Sequence, residues 1–86
     1  MTNQEKLYVY VVETSTYVDY EGQIEIKVNH FRKREKAEAF FDSISKGYEK
    51  SSETYETFSE GELLKSSFLR KHCLTHFARL LEIEVK

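Results

Sequence analysis

The sequence predicts an α+β fold in two layers: a three-stranded antiparallel sheet, element order β-β-α-α-β and strand order 2-1-3, with both helices packed on one face. Three observations carry the prediction. Residues 7–13 and 23–31 are rich in β-branched and aromatic side chains, residues 37–44 switch to a helical spacing of apolar positions, and the C-terminal residues again alternate in twos.

The first strand, LYVYVVE at 7–13, is apolar at almost every position, which suits a strand covered on both faces or lying centrally in a sheet. The second, QIEIKVNHF at 23–31, alternates Ile24, Ile26 and Val28 with Glu25, Lys27 and Asn29, the pattern of a half-buried strand. Between them Asp19-Tyr20-Glu21-Gly22 offers Asp at the first position of a turn and Gly at the last, so the two strands are expected to form a hairpin.

Ala37, Phe40, Phe41 and Ile44 then recur at helical spacing and Gly47 stands just beyond them, predicting a helix over 33–46. Its apolar stripe is expected to cover the Ile24, Ile26 and Val28 face. A second helix is expected from Ser59 to about His72. Ser59 and Glu62 have the spacing of a capping box, Phe58 and Leu63 that of a hydrophobic staple, and Glu60 falls in the first turn. Leu63, Leu64, Ser67 and Phe68 would form its buried side.

The closing LTHFARLLEIEVK reads as a strand, because Phe77, Leu81, Ile83 and Val85 share a period of two that only Arg79 interrupts. A sheet this small needs a third strand to be stable by itself. The first strand, being the most apolar, is placed at the centre.

At 86 residues, with 40% hydrophobic and 33% charged side chains and no proline, the chain is expected to form a single domain over 1–86. One cysteine excludes an internal disulfide framework. The first residues, MTNQEK, lack the apolar run of a signal peptide, and no stretch has the length of a membrane-spanning helix, so the expected setting is cytoplasmic. A net charge of −2 argues against a general nucleic-acid coat. The charge is uneven, however: residues 51–62 are acidic, while 30–36 and 65–79 hold most of the bases.

Two groups of residues suggest binding. Arg32, Lys33, Arg34 and Lys36 stand where the first helix begins, although a helix N-terminus disfavours cations by about 0.3–1 kcal/mol each. Glu38 lies four residues after Arg34, the weaker orientation for such a pair. These bases are expected either to contact an acidic partner or phosphates, or to be solvated. Tyr8 and Tyr10 alternate with Leu7, Val9 and Val11; with helices over the Leu7 side, both tyrosines would occupy the open sheet face beside Glu25 and Lys27. An amphipathic strip of that kind suits a protein interface.

No metal site is expected at HCLTH, since a strand separates Cys73 from His72 and His76 and only His30 stands elsewhere to complete a set. No cofactor or small-molecule substrate is expected either, because glycine-rich phosphate loops are missing and Glu82 and Glu84 read as solvated. The sequence thus suggests a small non-enzymatic regulatory protein that binds another protein, or itself, through an aromatic sheet face or a sheet edge. The alternative is a nucleic-acid-binding accessory protein using the basic run at 30–36, joined by Arg70, Lys71 and Arg79.

Overall fold

The computed structural model describes residues 7–20, 22–50 and 60–85. Their elements run β1 (Leu7–Val18), β2 (Gly22–Phe31), α1 (Arg34–Ile44), β3 (Glu49–Lys50), β4 (Glu62–Lys71) and β5 (Leu74–Val85). The strands form one antiparallel five-stranded sheet in the order β2-β1-β5-β4-β3. The expected three-stranded sheet with two helices is therefore corrected to a mostly β structure with one helix among the described residues. Within the wider sheet, β1 lies between β2 and the last strand.

The correction falls on residues 62–71, which form β4 and not a second helix. Its origin is the neighbouring strand. β5 is buried at Thr75 and from Phe77 to Leu81 and is hydrogen-bonded along one edge by β1. A helix over 62–71 would leave the N–H and C=O groups of its other edge unpartnered inside the protein. Residues 62–71 reach that edge through the two-residue turn His72-Cys73, with Lys71 opposite Leu74. The helical spacing of Leu63, Leu64, Ser67 and Phe68 has a different cause: a β-bulge at Leu64, where Leu63 pairs with Leu81 but Lys65 with Leu80. The extra residue breaks the period of two and lets Leu64 join the core beneath the helix while Leu63 faces away. The capping residues Phe58 and Ser59 lie outside the described residues.

The helix ends as its sequence implies. The Ser45 N–H donates to the Phe41 carbonyl at 2.8 Å, the Tyr48 N–H to the Ser45 carbonyl at 2.8 Å, and Gly47 takes φ 86° in the turn between. Ala37 and Phe41 are its buried residues, and they pack with Val12, Ala78 and Leu80 to form the core. Tyr10, Phe31, Phe40, Ile44, Tyr48 and Leu64 close over the margin of this cluster.

The helix therefore covers the Tyr10 and Val12 side of β1, which on β2 is the side of Glu25, Lys27 and Asn29. This overturns the expectation that it would cover the aliphatic side of β2. Side-chain size explains the choice. Thr14, Ala78 and Ser67 lie in one row across β1, β5 and β4, and these small residues let a helix approach closely. The opposite face carries Phe68, Phe77, Arg79 and Leu81, which fill that space.

That opposite face also buries Val11, Glu13 and Ser15 on β1 and Phe77, Arg79 and Leu81 on β5. Glu13 and Arg79 are 1% and 2% exposed and stand directly opposite each other in the register. An acid facing a base across two central strands is the arrangement in which either is tolerated inside. Arg79, the residue that interrupts the apolar period, also lies over the Phe77 ring, 5.3 Å from its centroid. Among the described residues, no helix is long and apolar enough to cross a membrane.

Candidate functional site

β2 is one outer strand of the sheet. It pairs with β1 along one edge, from Tyr10 opposite Phe31 to Val18 opposite Gly22, and its other edge meets no strand among the described residues. Alternate residues of this ten-residue strand thus present backbone donors and acceptors outward. The pleat divides the side chains between the two faces. Ile26, Val28 and His30 lie on the face away from the helix, where Ile26 is 44% and Val28 38% exposed. Glu25, Lys27 and Asn29 lie on the helix side, with Lys27 Nζ 3.1 Å from Glu25 Oε1 and both side chains exposed.

Natural edges are commonly blunted by proline, bulges or charge. Here the Glu25 and Lys27 charges neutralise each other, and a register irregularity opposite Thr16 and Tyr17 is the one bulge in the β1/β2 pairing. From Glu25 to Phe31 the strand is regular.

The sequence-derived binding residues gather at the other end of the molecule's long strands, around the start of α1. Tyr10 does not lie on the open face: it packs at the margin of the helix-side core, opposite Phe31 on one neighbour and Glu82 on the other. Burial and a hydrogen bond to the Glu82 carboxylate both push its phenol pKa up. Tyr8, on the same side of β1, is half-buried and lines a shallow hollow of about 390 Å³ with Leu7, Val9, Arg32 and Val85. The expected open-face strip of two tyrosines is thus corrected, because the helix lies on their side.

Of the basic run, Arg34 is engaged within the chain. Its Nε–H donates to Glu38 Oε1 at 2.8 Å, with Glu82 and the Tyr10 phenol close enough to act on it electrostatically. That bond holds the Glu38 carboxyl below its usual pKa against the opposing effect of burial. Arg32, Lys33 and Lys36 are exposed. The N-cap residue Lys33 makes no side-chain cap bond, and Glu35 is the acid that the first turn supplies to the dipole.

The remaining bases do not join this group. Arg70 is held at the far end of the sheet, donating to Asp19 Oδ2 at 2.6 Å and to Thr75 Oγ1 at 3.1 Å. Lys71 neighbours it, Lys65 is 3.8 Å from Asp42, and Arg79 is buried. From Tyr10, near the helix start, to Val18, beside the Arg70 end, β1 runs about 26 Å at roughly 3.3 Å per residue.

The HCLTH residues also separate. His72 and Cys73 form the exposed turn, whereas His76 points to the helix side and its Nδ1 lies 3.0 Å from the Thr16 hydroxyl. No three His, Cys, Asp or Glu side chains among the described residues are grouped to hold a metal ion.

Compared with protein-family models, characterised proteins and solved structures, the chain matches none. The exposed residues of the β2 edge, Ile26 and Val28, are not among the binding residues that the sequence suggests. The alternation of QIEIKVN marked the strand, but nothing local to it says which of its faces a helix leaves bare.

Proposed function

We propose that this is a non-enzymatic interaction protein that takes a partner polypeptide along the outer edge of β2, by strand addition. One observation carries the reading: Ile26 and Val28 are exposed directly beside a long edge with no neighbouring strand among the described residues. In strand addition, main-chain hydrogen bonds supply affinity and alternate side chains supply selectivity. β2 offers both, a regular backbone ladder and two branched aliphatic side chains on one face.

The test compares immobilised wild-type chain with an Ile26→Lys/Val28→Lys variant, both exposed to lysate of the source cells. The expected result is a protein retained by the wild type and lost from the variant, while thermal unfolding of the two remains alike. Identical retention by both would overturn the use of this edge.

A second reading has its own observation. Tyr8 and Arg32 line one hollow, with Lys33 and Lys36 exposed nearby, and aromatic rings beside cations suit single-stranded nucleic acid. Against it, Arg34 is committed to Glu38, and Arg70, Lys71 and Arg79 lie elsewhere. Binding through this end would appear as oligonucleotide retention that falls steeply with salt. No mobility shift at low ionic strength would remove it.

A further inference from the structure

We infer that the strand received by β2 is β2 of a second copy, paired antiparallel about a two-fold axis through Ile26. The inference rests on the edge reading above and names its partner.

Symmetry restricts the choices. Two copies of one strand joined antiparallel in a continuous sheet are related by an axis perpendicular to that sheet, so each residue meets one on its own face. The axis must then pass through a residue, and within the regular exposed stretch the candidates are few. Centred on Glu25, the pairing sets two carboxylates opposite each other; centred on Lys27, two ammonium groups. Centred on Val28, it sets Lys27 against Asn29 and Ile26 against His30.

Centred on Ile26, Glu25 of each copy faces Lys27 of the other, and the two Ile26 side chains meet at the axis. Only this register matches acid to base twice and apolar to apolar. Opposite charges directly across a strand pair stabilise it, and like charges oppose it. The intrachain Lys27–Glu25 contact at 3.1 Å becomes part of a four-charge group, because each of the two side chains gains a partner across the axis. Ile26, 44% exposed in the single chain, is covered by its own copy. The product is a ten-stranded sheet with both helices on the same face.

Charge-swapped variants test this in sedimentation velocity. Wild type is expected to be a dimer. Lys27→Glu sets Glu25 against a glutamate at 27 and is expected to lose dimerisation; Glu25→Lys sets two lysines together and is expected to do the same. Mixing the two variants in equal amounts restores both acid–base pairs and is expected to give a heterodimer, a recovery that a folding defect in either chain would not produce.

Register is read separately by oxidation in a Cys73→Ser background. Ile26→Cys is expected to form a disulfide across the axis, where antiparallel partners lie about 4.5–5.5 Å apart. Val28→Cys is expected to form none, since the two copies of residue 28 are then about 13 Å apart, four residues along the strand.

A wild type that stays monomeric at several-fold above its working concentration overturns the inference. So does a dimer indifferent to both charge variants, or cross-linking at residue 28 in place of 26. In the first case, a foreign protein lost with Ile26→Lys/Val28→Lys would leave the edge reading standing, which separates the two failures.

Discussion

Single residues decide several features of this sheet through what their backbone or charge allows. Gly61 precedes β4 at φ 140°, and a Cβ there would lie 2.7 Å from both the Glu82 carbonyl oxygen and Ile83 Cγ1. The first of these is backbone and cannot step aside, so Gly61→Ala is expected to destabilise the protein by about 1–3 kcal/mol in denaturant unfolding. His72 works in the opposite sense. It holds φ 58° in the β4–β5 turn, a conformation that costs an L side chain roughly 1–2 kcal/mol. His72→Gly removes that cost, and the freedom glycine adds to the unfolded chain offsets part of the gain. The variant is expected to unfold at a higher denaturant concentration with an unchanged slope.

Arg34 and Glu38 give a residue-scale prediction in pH. The Glu38 carboxyl is lowered chiefly by its hydrogen bond from Arg34. A carboxyl lowered in the folded state adds stability that is present above its ordinary pKa of about 4.3 and is lost as pH falls through the lowered folded value. Arg34→Gln should therefore move the Glu38 titration midpoint upward, as followed by carboxyl carbon chemical shifts in NMR. An unmoved midpoint would show that the guanidinium is not what holds it.

At the scale of elements, the helix is attached by a narrow set of contacts. Phe41 is 4% exposed and fills the centre of its interface with Val12, Ala78 and Leu80. Phe41→Ala is expected to cost about 3 kcal/mol or more, and Phe40→Ala less, because Phe40 sits at the half-exposed margin against Phe31. Equal losses from the two would mean that the helix is seated differently.

The same scale shows how far local pattern could be read. Alternation in 23–31 and in the C-terminal residues identified β2 and β5, and the 3.6-residue spacing with Gly47 identified α1 to within about two residues at each end. Residues 62–71 carry a helical pattern although they form β4, because a single bulge at Leu64 places apolar residues at positions that also fit a helix. The period of two puts Tyr8 and Tyr10 on one side of β1 but does not say that this is the side of the helix. Which side the helix would occupy depends on Thr14, Ala78 and Ser67, three small residues far apart in sequence that meet only across strands.

For the whole molecule, topology sets which parts are most protected. Among the described residues, β1 and β5 are each flanked by strands on both edges and carry fully buried residues on both faces, whereas β2 has one neighbour. In native-state hydrogen exchange of the Lys27→Glu variant, which is expected to be monomeric, amides of Val11, Val12, Ala78 and Leu80 should exchange most slowly, near the global unfolding limit, and outward-facing amides of β2 among the fastest of the strands. In the wild type, slow exchange along β2 that becomes fast on dilution would report the covering of its edge in the dimer.

Sequence alone determined the periodic elements of this protein, since pleat and helix repeat are properties of a few neighbouring residues: the β1–β2 hairpin, α1 and the last strand. Tertiary structure decided the rest, including the strand identity of residues 62–71, the side on which the helix lies and the exposure of Ile26 and Val28. These depend on long-range pairing, where the unmet hydrogen bonds of one strand and the room left by small side chains on another outweigh what any single segment prefers.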